Sequence, residues 1–192
     1  MEATRKIIGI LFWIVVVIGG IGLTIALVGG AFPINWGTGE QTVKFDLTYN
    51  GWESSDPMNG IMTIVHDEKK EGWGAMQFDY KYGDGKEPGF RSTVYDIEGA
   101  IITKFWMKAK KPCKWQLQYK RKSDGLVLKR TFNVGTNWKQ YTVNTYDMKN
   151  EIRYTGKFSA NELAKWINFV DISSRKEGES NTVWIDHVVI TK

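Results

Sequence analysis

This sequence predicts an all-β fold, an antiparallel sandwich preceded by one transmembrane helix, on three observations. Between Ile101 and Val143, four short runs alternate apolar and polar residues with period two, the mark of half-buried strands. The runs break at Lys111-Pro112, Asp124-Gly125 and Gly135-Thr136, where turns belong. Ahead of all this lies an uncharged apolar run, Ile7–Val28, of membrane-spanning length. In the four central runs the apolar phase is Ile101, Phe105, Met107 and Ala109; then Trp115, Leu117 and Tyr119; then Leu128, Phe132 and Val134; then Tyr141 and Val143. The opposite phase carries Lys104, Lys108, Gln116, Gln118, Lys120, Lys129, Thr131, Gln140 and Thr142. Each strand thus shows one face to a core and one to water.

The first element is the apolar run. Arg5 and Lys6 precede it, and at about 22 residues and ~1.5 Å rise it reaches roughly 33 Å, enough to cross a bilayer core. A cleavable signal peptide is the competing reading, but its apolar region is usually only about 7–15 residues long. The basic residues lie before the run, and no charge follows it until Glu40. The positive-inside bias therefore puts the N-terminus in the cytoplasm and the large domain outside, on a single-pass anchor in the cell membrane. Gly22, Ala26 and Gly30 sit four apart, a spacing that permits close helix packing. The domain boundaries expected are 1–30 for stub and anchor, 31–41 for a tether, and 42–192 for the sandwich. Phe32 and Trp36 in the tether suit a membrane interface.

Within the sandwich, T-V-K-F-D-L-T from Thr42 is a first strand, and the following N-G-W-E-S-S-D-P-M-N-G is a loop. I-M-T-I-V-H is the second strand and D-E-K-K-E-G a turn. The strand G-A-M-Q-F-D-Y-K-Y points Met76, Phe78 and Tyr80 inward, and F-R-S-T-V-Y-D follows after a glycine-rich loop. After the central block, Ser159 and Glu162 read as a capping box for a short helix, S-A-N-E-L-A-K. W-I-N-F-V-D-I-S and T-V-W-I-D-H-V-V-I close the chain. In the last run the apolar phase slips from Val183 and Ile185 to Val188 and Ile190, which implies a bulge at Asp186-His187.

Composition narrows the function. The chain of 192 residues has room for one domain and an appendage, and its 14% aromatic content suits a sandwich core. Lys and Arg outnumber Asp and Glu by 26 to 21, but the charges interleave along the strands, which argues against a nucleic-acid partner. The single cysteine, Cys113, excludes an internal disulfide and reads as an inert strand-edge residue. There is no G-x-S-x-G, H-E-x-x-H or P-loop, and no acidic pair recurs on one strand face. His66 and His187 lack partners at metal spacing, and Gly83-Asp84-Gly85 is a turn. These observations point away from catalysis.

The landmarks G-W-G-A-M-Q-F-D-Y, K-F-W-M-K-A-K, W-Q-L-Q-Y-K-R-K-S-D-G, T-F-N-V-G-T-N-W-K-Q-Y-T-V and V-W-I-D-H-V-V-I, in this order, cover most of residues 43–192. Together they resemble the jelly-roll carbohydrate-binding modules and the wider galactose-binding-like superfamily. The resemblance implies one sheet from the strands at 75–82, 101–109, 138–143 and 183–190, and another from 90–96, 113–121, 127–134 and 166–173. The outer face of the second is where such modules hold a glycan. By parity it shows Gln116, Gln118, Lys120, Lys129 and Thr131, with Arg91 or Tyr95 beside them according to register. No aromatic of the middle strands is expected to point outward there. On the other sheet Trp106 and Trp184, flanked by Lys104 and Lys108, form an outward indole patch, covered either by the tether or a loop, or by a protein partner. The resemblance also implies a structural calcium ion between Asp46 and Asp186, with Asp67 or Glu71 as possible contributors. His187 stands where the family often has a second Asp.

The function expected is a membrane-anchored, non-catalytic extracytoplasmic binding module, with a glycan as ligand. The alternative is a scaffolding or accessory subunit of a membrane complex that uses the sandwich for protein contact. The anchor is tested directly: the mature protein should begin at or near Met1 and stay with membranes through a carbonate wash. An intact mass corresponding to a start at Phe32 would replace the anchor with a cleaved leader.

Overall fold

The computed structural model describes residues 39–83, 86–149 and 159–192. The expected transmembrane helix and nearly all of the tether lie outside the described residues, among which no helix is long and apolar enough to cross a membrane. The described part holds eleven strands: β1 (Glu40–Val43), β2 (Trp52–Ser54), β3 (Gly60–Val65), β4 (Ala75–Lys81), β5 (Gly89–Ser92), β6 (Ile102–Ala109), β7 (Cys113–Arg121), β8 (Val127–Val134), β9 (Lys139–Asn144), β10 (Leu163–Asp171) and β11 (Ser180–Thr191). They make two antiparallel sheets. One has the order β3-β4-β11-β6-β9, with β1 added against β11; the other has β2-β5-β10-β7-β8. Both sheet memberships implied by the resemblance hold.

Alternation decides what the sheets bury between them. Met76, Phe78 and Tyr80 of β4, Phe105 and Met107 of β6, and Val183, Ile185, Val188 and Ile190 of β11 face Trp115, Leu117 and Tyr119 of β7 and Ile167 and Phe169 of β10. Aromatic rings lock the two layers together: Phe105 meets Phe169 edge-on at 4.9 Å, and Phe78 meets Phe90 edge-on at 5.4 Å. Two polar ties cross the same gap, Thr103 to Tyr119 and Tyr80 to the carboxylate of Asp171.

β11 is the longest strand, at 12 residues, and it takes two partners in succession on one edge. Ser180–Ile185 pair with β4, and Val188–Thr191 pair with β1. On the other edge, β6 pairs with it from Val183 to Thr191, with a register shift between Asp186 and Val189. His187 there has φ 49, a left-handed value that a non-glycine residue adopts at a bulge. The phase slip in the sequence located this bulge correctly.

Elsewhere the elements differ from expectation, for identifiable reasons. The first strand stops at Val43, because Asp46 turns aside to accept hydrogen bonds from another loop. The loop before β3 contains β2, whose Trp52 packs among Phe90, Tyr95 and Phe169. The expected helix at 159–165 is one 3-10 turn, Ala160–Glu162. Ser159 does cap it, accepting from the Asn161 N–H at 3.4 Å, but Leu163 is drawn into the core as the first residue of β10. Sheet pairing outweighs local helix preference.

Cys113 opens β7 in a buried position, and burial pushes its thiol up to about 11. A folded sample at mildly alkaline pH should therefore not react with dithiobis(nitrobenzoate), and one thiol should titrate on denaturation. Rapid reaction in the native state would show an exposed, activated thiol instead.

Candidate functional site

The outer face of the β10 sheet is a row of amides joined head to tail. Across the strands, Arg91 of β5 pairs with Asn168 of β10, Asn168 with Gln118 of β7, and Gln118 with Lys129 of β8. One pleat along, Val170, Gln116 and Thr131 stand in line. Asn168 Nδ2 donates to Gln118 Oε1 at 3.1 Å, Gln118 Nε2 donates to Gln116 Oε1 at 3.1 Å, and Gln116 Nε2 donates to Thr131 Oγ1 at 3.3 Å. Every amide thus spends one N–H on its neighbour. Each keeps a second N–H and spare carbonyl lone pairs. Gln118 and Asn168 are each only 8% exposed, so these groups have a fixed direction. Aligned dipoles of this kind strengthen one another in a low-dielectric setting.

Charge on this face is positive and sparse. Lys120 is exposed and Lys129 half-buried; Arg91 is exposed and donates from Nε to Glu53 of β2 at 2.8 Å. Among the described strands Glu53 is the only carboxylate at an outward position of this sheet. No carboxylate pair for acid–base hydrolysis stands there.

Two corrections concern aromatics. Tyr95 does not join this face: β5 ends at Ser92, so its alternation does not reach residue 95. The ring is 1% exposed beside Trp52, and its hydroxyl donates to the Asn50 carbonyl. Conversely, the face does have an aromatic. Trp166, just before inward-facing Ile167, takes the outward phase of β10 and is half-buried. Leu163 pairs with Arg121 and Ile167 with Tyr119, so three β10 residues, Ala164 to Trp166, stand opposite Lys120 alone. That irregularity sets Trp166 at the margin of the amide row, where an indole offers an apolar plate for sugar C–H groups.

Part of the outer face of the β11 sheet, around Trp106 and His187, is occupied by the protein itself. The β3–β4 loop lies over it as a strap, held by carboxylates at its middle and at its C-terminal end. Asp46 Oδ1 accepts from the N–H groups of Trp73 (2.6 Å) and Gly74 (3.3 Å). Asp186 Oδ2 accepts from those of Lys70 (2.9 Å) and Glu71 (2.7 Å). Burial raises the Asp186 carboxyl above the usual range, and the Glu71 and Lys70 N–H groups oppose that rise. From the strap, Glu71 accepts from Trp106 Nε1 at 2.7 Å and from His187 Nδ1 at 2.6 Å. Lys70 Nζ sits 4.7 Å from the Trp106 ring centre. Glu68 pairs with Lys108, whose ammonium lies 4.7 Å from the Trp184 ring and 5.4 Å from that of Trp138. Trp184 Nε1 donates to Gln77 at 2.9 Å. Of the expected patch, only Lys104 remains exposed, one pleat from Trp106.

The same geometry bears on calcium. One oxygen of each aspartate is taken by two backbone N–H groups, which present positive dipoles where a hard cation would need further oxygens. Glu71 is engaged by an indole and an imidazole, and among the described residues no group of three or more His, Cys, Asp or Glu is placed to hold a metal ion. The donor set does not fit calcium; it fits a pinned loop.

No protein-family model matches this sequence, and no curated protein matches it. Solved structures match it well. A family 11 carbohydrate-binding module from Clostridium thermocellum, in complex with a beta-1,3-1,4-mixed-linked tetrasaccharide, aligns with a TM-score of 0.59 at 12% identity over 80% of this chain and 96% of that one. The family 11 module of the cellulosomal cellulase Lic26A-Cel5E of the same organism gives 0.60 at 12% identity, covering 80% and 95%. The CBM22-1 xylan-binding domain of Paenibacillus barcinonensis Xyn10C gives 0.52 at 12% identity, covering 79% and 93%. The chain therefore has the sandwich fold of the carbohydrate-binding modules. At identities this low the likeness is one of fold.

The strap makes a test for Asp186. Melting with calcium and with a chelator should give the same midpoint, while Asp186→Ala, which takes the acceptor from the partly covered N–H groups of Lys70 and Glu71, should cost about 1–3 kcal/mol and red-shift tryptophan emission as Trp106 is uncovered. A midpoint that rises with calcium would restore the cation.

Proposed function

We propose that this protein is a non-catalytic glycan-binding module that lays a polysaccharide chain across the outer face of its β10 sheet. The observation that carries the reading is the amide row Asn168–Gln118–Gln116–Thr131, pre-oriented by its own hydrogen bonds beside an outward indole, Trp166. Sugars present alternating hydroxyl and C–H surfaces, and this face offers fixed polar groups next to an apolar plate. Lys120, Lys129 and Arg91 add donors along the rim. The fold shared with modules solved with a beta-1,3-1,4-mixed-linked tetrasaccharide or named for xylan supports the same class of ligand. The uncharged run Ile7–Val28 supports display on the outer side of a membrane, which is part of the proposal.

The alternative of a scaffolding or accessory subunit rested on Trp106 and Trp184 as an uncovered patch. Both indole N–H groups are already engaged, by Glu71 and Gln77. That surface consequently has less to offer a partner.

Affinity electrophoresis in soluble mixed-linkage glucan and xylan tests the reading. Retention by at least one is expected, and Trp166→Ala or the Gln116→Ala/Gln118→Ala pair should each weaken it by about 1–3 kcal/mol, roughly 5- to 100-fold. Trp106→Ala should leave it unchanged. Equal loss in all three variants, or none in the first two, would remove this face from the function.

A further inference from the structure

On the glycan reading of the β10 face, we infer that the polymer held there is acidic: a polysaccharide whose rings carry carboxylates, selected by a lysine at each end of the amide pair of β7. The outward phase of that strand runs Lys114, Gln116, Gln118, Lys120, so two mutually bonded amides are bracketed by two ammonium groups. Both lysines are exposed. At about 3.4 Å per residue they stand roughly 20 Å apart along the strand.

These two charges are left unmatched. Arg91, on the same face, is paired with Glu53, and Lys122, in the turn beyond β7, is paired with Glu98. Among the described residues no carboxylate stands within ion-pair distance of Lys114 or Lys120. Their neighbours on β8 are Asn133 and Val127, neither of them acidic. Asp124, the carboxylate of the adjoining turn, is taken by Arg121, whose Nε donates to it at 2.9 Å. The backbone under both lysines is fixed. The Lys114 N–H donates to Ser173 Oγ at 2.8 Å, and the Lys120 stem lies against the turn, its Cε 3.2 Å from where a side chain at Gly125 would begin. The chain as a whole carries the same sign, +5.

The arrangement divides the work between holding and selecting. The amides and Trp166 meet hydroxyls and C–H faces, which neutral and acidic polymers share. The ammonium groups favour only the acidic one, and a lysine, as a compact point charge, suits a single carboxylate. An exposed ion pair changes affinity only a few-fold, so two of them discriminate between ligands that the rest of the face already binds. A ligand must be long to reach both, which a polymer satisfies and a simple organic acid does not. The surplus of positive charge also steers a polyanion toward the face. A single-stranded nucleic acid would need a series of aromatic plates, and among the described strands Trp166 is the one aromatic that this face turns outward.

The full-length protein, held in dodecylphosphocholine, would be titrated calorimetrically with glucuronoxylan and with polygalacturonate, each against its own carboxyl-reduced, neutral form. For at least one pair the acidic form should bind about 3- to 30-fold tighter. That ratio should fall to near one in Lys114→Gln/Lys120→Gln and persist in Lys114→Arg/Lys120→Arg, which keeps the charges. It should also shrink in about 1 M salt, where the Debye length drops to about 3 Å. Neutral forms bound as tightly as acidic ones would overturn the proposal and leave the glycan reading of the face standing. A ratio indifferent to Lys114→Gln/Lys120→Gln would overturn it too, as would polyglutamate binding as tightly as the acidic glycan, which would show charge attraction alone. No binding of any of the four polymers would remove the glycan reading and this proposal together.

Discussion

One strand shares a single edge between two neighbours, and the β11 sheet is arranged around the junction. β4 covers the first half of that edge and β1 the second, so the ladder must break where the partners change. The bulge at Asp186-His187 is that break. It restores the inward phase, so that Val188 and Ile190 join the core as Val183 and Ile185 do. It also leaves Asp186 nearly buried and facing the strap, where Lys70 and Glu71 supply the N–H groups that its carboxylate requires. From those two residues the indole of Trp106 and the ring of His187 receive their partners. A local irregularity in one strand thus determines what covers Trp106 and His187.

The two outer faces use opposite strategies. On the β11 sheet, Trp106, Trp184, Lys108 and Glu71 are satisfied by contacts within the chain. On the β10 sheet the amides bond one another sideways, which fixes their direction and leaves half their capacity pointing out. Preorganisation of this kind lowers the entropic cost of binding, since the donors need no reordering when a ligand arrives. Exposed long side chains such as Lys120 lack that advantage and suit a supporting role at the rim.

Period two was enough to read the inward and outward sets, because a strand's side-chain repeat matches its sequence repeat. Gln116 and Gln118 opposite Trp115 and Leu117 are the clearest case. The phase slip around Asp186 was legible for the same reason. Trp166 obeys the same rule, one residue before inward Ile167, but it stands at the very start of the readable run: behind it three residues face one, and alternation does not survive such an irregularity. Tyr95 failed in the same way, being placed by a phase that ends at Ser92. The strap was invisible for another reason: Glu71 meets Trp106 across 35 positions, and a run of alternating charges looks like any solvated turn.

The ladder between β1 and β11 has a mechanical consequence. β1 begins at Glu40, beside Thr191 at one end of β11; the other end of β11, at Ser180, lies roughly 35 Å away along the strand. A pull applied between Glu40 and that far end runs parallel to the strands. The hydrogen bonds of an antiparallel pair lie across that direction. They are loaded in shear, all four residue pairs together, and not peeled one at a time. A ladder loaded in this way resists separation along the strands, and lateral peeling from the β3 edge is the weaker direction.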